Sequence, residues 1–89
     1  MSVQIISEIQ IIPVKANKGL VAFCSFVLYE AIYCSSVGIY TRPNGCGYRL
    51  VYPTKIVNQT NLNIFHPINS QIGKLIEQEV SKKVDEVLI

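Results

Sequence analysis

Asn63-Ile64-Phe65-His66-Pro67-Ile68-Asn69-Ser70 divides the chain into two regimes of hydrophobic spacing. Before it, apolar residues recur every second position between tight turns. After it they recur at helical spacing, with Ile72, Leu75, Ile76, Val80, Val84, Val87 and Leu88 forming one wide stripe. Pro67 fixes its own φ and holds His66 in extended geometry, so strand and helix should meet at a set angle. Asn69 or Ser70 can cap the first helical turn, and the helix should run from about Asn69 to Leu88. Gly73 falls within the stripe, where a missing side chain would let the helix approach the sheet closely.

Upstream, four strands are expected. The first covers about Val3 to Val14, with Val3, Ile5, Ile9 and Ile11 on one face and Gln4, Glu8 and Gln10 on the other. Pro13 suits the end of an edge strand. A turn follows at Lys15-Ala16-Asn17-Lys18-Gly19, with Asn17 and Gly19 able to take positive φ. Leu20 to Tyr29 is apolar on both sides and should be central. Leu20, Ala22, Cys24, Phe26 and Leu28 point one way, and Val21, Phe23, Val27 and Tyr29 the other. Ile32 to Tyr40 makes a third strand. Arg42-Pro43-Asn44-Gly45 then reads as a hairpin turn. The fourth strand, Gly47 to about Pro53, puts Tyr48, Leu50 and Tyr52 opposite Arg49 and Val51. Residues 54–63 are polar and rich in Asn, and read as an exposed loop. The expected fold is α+β, an antiparallel β-meander of about four strands and a C-terminal amphipathic α-helix, in one domain spanning 1–89.

Eighty-nine residues leave no room for a second core. Hydrophobic residues make up 49% and charged ones 16%, fewer charges than the roughly one quarter of an average domain. One helix covers one face of a sheet, so the other face of the second strand needs a partner, and a homodimer supplies it most simply. The net charge of +2 is unevenly spread. Residues 1–69 hold Lys15, Lys18, Arg42, Arg49 and Lys55 against Glu8 and Glu30, and residues 70–89 have a balance of −1. An anion-binding surface therefore belongs to the sheet and its loops. Cys24, Cys34 and Cys46 have neither zinc-site nor CxxC spacing and point to a reducing cytosol. Neither a signal peptide nor a bilayer-spanning segment is expected.

No catalytic constellation is legible, so an enzyme is not expected, nor a metal, a cofactor or a small-molecule substrate. His66 is the only histidine, and a backbone bond at the helix entrance is its simplest role. Cations neutralise phosphates and aromatic rings stack on unpaired bases, which singles out Arg42, Arg49 and Lys55 with Tyr40, Tyr48 and Tyr52. Arg49 and Tyr48 alternate, and so face opposite ways.

His66-Pro67-Ile68-Asn69-Ser70, following Asn63-Ile64-Phe65, resembles the D-I-x-H-P-I-N-S stretch of the stage V sporulation protein G (septation protein G) family. Pro53-Thr54-Lys55 resembles that family's P-S-K-R, and Asn44-Gly45 falls near its Asn/Gly turn. The resemblance implies a small cytoplasmic bacterial protein, homodimeric, binding DNA or RNA site-selectively and regulating gene expression in septation or sporulation. Lys55, Arg49 and Arg42 would then be the main phosphate contacts, with Lys74 as a supplement. The chain departs from the pattern at several positions. Ile56 replaces the second basic residue, and the neutral Val57-Asn58-Gln59-Thr60-Asn61 replaces a charged loop. Ser35-Ser36 and Gly38 replace a His-Asp pair and a basic residue, and Gly73 stands where arginine is usual. With fewer cations, binding should be weaker than is usual for the family. The rival expectation is a protein–protein interaction module of the same fold that has lost most of its nucleic-acid affinity.

Overall fold

The computed structural model describes residues 4–43 and 47–88. Four strands, β1 (Ile6–Asn17), β2 (Leu20–Leu28), β3 (Ile32–Thr41) and β4 (Tyr48–Val51), form one antiparallel sheet in sequence order. A separate two-stranded sheet, β5 (Thr54–Val57) and β6 (Thr60–Asn63), follows, and then the helix α1 (Ser70–Leu88). The class is α+β, as the change of period requires. Among the described residues, no helix is long and apolar enough to cross a membrane. The Asn44-Gly45 turn lies outside the described residues.

The core lies between one face of the sheet and the apolar stripe of the helix. Ala22, Cys24 and Phe26 of β2 are buried with Cys34, Val37 and Ile39 of β3, beneath Ile76, Val80 and Val84. Burying each such aliphatic side chain stabilises the fold by roughly 1.5–3 kcal/mol, so these contacts, more than helix propensity, hold α1 in place. Tyr48, Leu50 and Tyr52 pack against this core while Arg49 and Val51 of the same strand are exposed, as alternation predicts. Cys24 and Cys34 are free buried thiols, and burial pushes the Cys24 thiol up to about 12. Both act as small hydrophobes.

Strict alternation fails at four shifts in register, one of them late in β1 between Pro13 and Asn17, where two residues are extra. On β1, Ser7 pairs with Val27 but Gln10 pairs with Ser25, so one residue is extra, and Glu8 has φ 51°. Ile6, which precedes the bulge, and Ile9 and Ile11, which follow it, therefore all reach the core. On β3 the extra residue falls between Cys34 and Val37, where Ser36 has φ 64°. On β2 the shift falls between Leu20 and Ala22. Val21 packs against the core, whereas Leu20 lies beside Gly38, which inverts the expected assignment of that pair.

Other expectations need correction. Residues 54–63 form a hairpin instead of an irregular loop, with Val57 opposite Thr60 and positive φ at Asn58 and Gln59. Two consecutive left-handed residues match the right-handed twist of a strand pair, which is why so polar a stretch closes into a ladder. In the first turn the left-handed residues are Lys18 and Gly19, and Asn17 still belongs to β1. Val87 is exposed, so the apolar stripe fades before the end of the helix.

The hinge does what its sequence implies. Asn69 Oδ1 accepts hydrogen bonds from the amides of Gln71 (2.8 Å) and Ile72 (3.2 Å), so Asn69 is the cap and Ser70 the first helical residue. Gly73 faces Pro67, not the sheet: a Cβ there would sit 3.5 Å from Pro67 Cγ, an ordinary contact. Gly73→Ala should therefore keep the packing and gain about 0.5–1 kcal/mol of helix propensity. A rise in the urea midpoint at unchanged slope is the expected result, and a fall would show that helix and hinge are closer than described.

Candidate nucleic-acid interface

Register gathers the cations of the sheet at one end. Asn17 pairs with Leu20, Leu20 with Tyr40, and Tyr40 with Arg49, while the Thr41 amide donates to the Gly19 carbonyl at 2.9 Å. Lys15, Lys18, Arg42 and Arg49 thus stand on neighbouring strand ends or in the turns that join them. The two acids of this part of the chain lie at the opposite end, Glu8 in the β1 bulge near Val27 and Glu30 in the turn from β2 to β3. The sheet is therefore charge-polarised along its strands.

The cations are not equivalent. Arg49 is exposed on the face away from the helix, with its guanidinium carbon 5.3 Å from the centroid of the Tyr40 ring. Directly opposed residues on one sheet face sit within reach of each other, so the Tyr40–Arg49 pairing explains the contact. Arg42 turns the other way and donates through Nη2 to Glu77 Oε1 on the helix. Nearby, the Tyr48 hydroxyl donates to Asp85 Oδ1 at 3.4 Å, and burial followed by the Asp85 charge pushes its phenol up. These contacts tie the β3–β4 end to the helix and occupy Arg42. Lys55 is exposed on β5, beyond Pro53, and Lys74 is exposed in the second helical turn. The four cations singled out from sequence are thus brought to different elements, and only Arg49 is both exposed and on the open sheet face.

Sequence reasoning counted Lys15 and Lys18 in the basic balance of residues 1–69 but did not single them out as contacts. It also placed no weight on Phe23 and Tyr33, which are 38% and 69% exposed on the open face with Ile12 and Val51. Of the expected stacking residues, Tyr40 belongs to this face, whereas Tyr48 and Tyr52 pack on the core. Tyr52 meets the Phe65 ring edge-on at 5.8 Å. Its buried hydroxyl has no partner among the described residues, and burial pushes its phenol up to about 12.

His66 is exposed. In the tautomer protonated at Nδ1 it donates to the Pro67 carbonyl at 3.3 Å. It borders an apolar cleft of ≈ 260 Å³ whose lining includes Phe26, Tyr33, Tyr52 and Phe65 and no Lys, Arg, Asp or Glu. His66, Pro67, Ile68, Asn69 and Ser70 thus lead into the helix, with Asn69 as its cap, beside a pocket that no Lys or Arg lines. Among the described residues no cluster of three or more His, Cys, Asp or Glu could hold a metal ion. No protein-family model matches the chain, and no curated protein matches it in sequence.

Proposed function

We propose that the chain is a divergent regulator of the septation-protein-G kind, acting in the bacterial cytoplasm and binding DNA or RNA through the basic end of its sheet. The observation that carries this reading is the convergence of Lys15, Lys18 and Arg49, with Arg49 laid over Tyr40. Phosphates are neutralised by such cations, and a ring under a guanidinium offers a stacking surface beside them. Lys55 and Lys74 extend the contact from separate elements. Arg42 contributes little while it is bound to Glu77. Binding of the unmodified protein to random oligonucleotides in a low-salt mobility-shift assay is the expected result. Its complete absence, on DNA and RNA alike, would overturn the reading.

A specific observation favours a second reading, a protein–protein interaction module. All ten residues of the β5–β6 hairpin are exposed, Ile56 and Leu62 among them, and Ile68 in the hinge is 92% exposed. A two-stranded hairpin is marginal in water on its own. A second copy packing against the hairpin and the hinge, instead of against the other face of β2 as expected from sequence, would cover these residues and leave the open sheet face to nucleic acid. Light scattering should then give a dimer mass at micromolar concentration. A monomer combined with nuclease-insensitive recovery of one specific partner protein would favour the interaction module.

A further inference from the structure

Two of the register shifts converge on one residue. Ser25 is the first β2 partner after the β1 bulge, paired with Gln10. On its other side it falls between the pairs Cys24–Val37 and Phe26–Cys34, opposite the Ser35-Ser36 bulge. Ser25 is only 5% exposed, the one buried polar residue among those described. A niche of ≈ 320 Å³ lies beside it, with Gln10, Phe23, Cys24, Ser25, Tyr33, Ser35 and Ser36 in its lining.

We infer that this niche receives one unpaired nucleobase, so that the nucleic acid bound is single-stranded; the inference rests on the reading proposed above. The chemistry of the lining carries it. No Lys, Arg, Asp or Glu borders the niche, so it suits neither a phosphate nor a metal ion. Serine hydroxyls and a glutamine amide each supply both donors and acceptors, which is what the mixed edge of a base requires. Phe23 and Tyr33 supply the aromatic walls on which a base can lie. The charge pattern supplies the direction. Five residue steps along β2 lead from the Leu20 position, level with Arg49, to Ser25, roughly 16 Å at about 3.3 Å per residue. A short single strand can hold its phosphates at Lys18 and Arg49 while a base further along enters the niche. Glu8, in the bulge beside the niche, and Glu30, in the turn beyond it, would limit how much further its backbone extends.

Two measurements separate this inference from the reading beneath it. In an NMR titration with each of the four ribonucleosides, saturable shifts confined to Gln10, Ser25, Tyr33 and Ser35 are expected for at least one base. Shifts spread over the whole surface, or none, overturn the niche. With single-stranded oligonucleotides, Tyr33→Ala should weaken binding about tenfold with no change in salt dependence, because a stacking contact and not a phosphate contact is lost. Ser25→Ala, which removes only the hydroxyl, should change which base is preferred. Unaltered binding by both variants overturns the niche and leaves the basic end as the interface. Nucleosides seated in the niche with no oligonucleotide bound overturn the polymer reading and leave the niche. A drop in dimer mass on Tyr33→Ala assigns the face to a second copy and overturns the niche.

Discussion

Phe26→Ala should cost about 3–5 kcal/mol of stability, the usual range for removing a fully buried aromatic side chain. Phe26 has no solvent exposure, lies on a central strand and pairs with Cys34 under the helix. A domain of this length has roughly 4–13 kcal/mol in total, at 0.05–0.15 kcal/mol per residue. The variant should therefore melt about 12–40 °C lower, at 4–8 °C per kcal/mol, and a fraction of it should be unfolded at 25 °C. Phe23→Ala is the internal control, since Phe23 lies three residues away on the opposite, open face. Its cost should be smaller, because Phe23 keeps 38% of its surface exposed and its truncation leaves no sealed cavity. Urea unfolding of the two variants reads the difference. Equal losses would mean that helix α1 does not cover the face carrying Ala22, Cys24 and Phe26.

That contrast also shows what the sequence made legible. The even-numbered face of β2 from Ala22 to Phe26 and the core-facing set of β4 follow from alternation alone, because both segments are regular. The helix and its Asn69 cap follow from the change of period and one side chain. The bulges do not follow, because their left-handed residues are Glu8 and Ser36, and neither glycine nor asparagine marks them. Each bulge reverses the parity of the strand beyond it, so a local omission misplaces several side chains. The β5–β6 hairpin was hidden for a related reason. Its Asn58-Gln59 turn lacks the glycine of the usual signal, and its strands carry Thr, Lys and Asn where apolar alternation would be sought.

The site was legible in kind but not in membership. Composition pointed any anion-binding surface to the sheet and its loops, and Lys15, Lys18 and Arg49, the cations of the proposed interface, stand at one end of that sheet. Their presence at one end of the sheet is a product of strand register over more than thirty residues of sequence, which residue spacing does not encode. The loss of Arg42 to the helix depends on Glu77, and the pairing of Arg49 with Tyr40 depends on the β3–β4 register. A cation's availability is set by what folds against it. Sequence supplies only the charge.

The same point gives the sharpest expectation for function. Lys15→Ala, Lys18→Ala and Arg49→Ala combined should weaken nucleic-acid binding roughly a hundredfold at low salt. They should also lower the slope of log affinity against log salt by about 2, at about 0.7 per lost single-strand phosphate contact. All three residues lie in strands or turns without packing on the core, so stability should change by less than about 0.5 kcal/mol each. Arg42→Ala should have almost no effect on binding, since its guanidinium is held by Glu77. Glu77→Ala should do the reverse, releasing Arg42 and strengthening binding by a few-fold with a steeper salt slope. Surface ion pairs contribute about 0–1 kcal/mol, so that variant should remain folded. Fluorescence anisotropy across a salt series distinguishes these cases. If Arg42→Ala or Lys55→Ala weakens binding more than the triple variant, the interface lies on the helix side or the hairpin. The open end of the sheet would then be ordinary solvated surface.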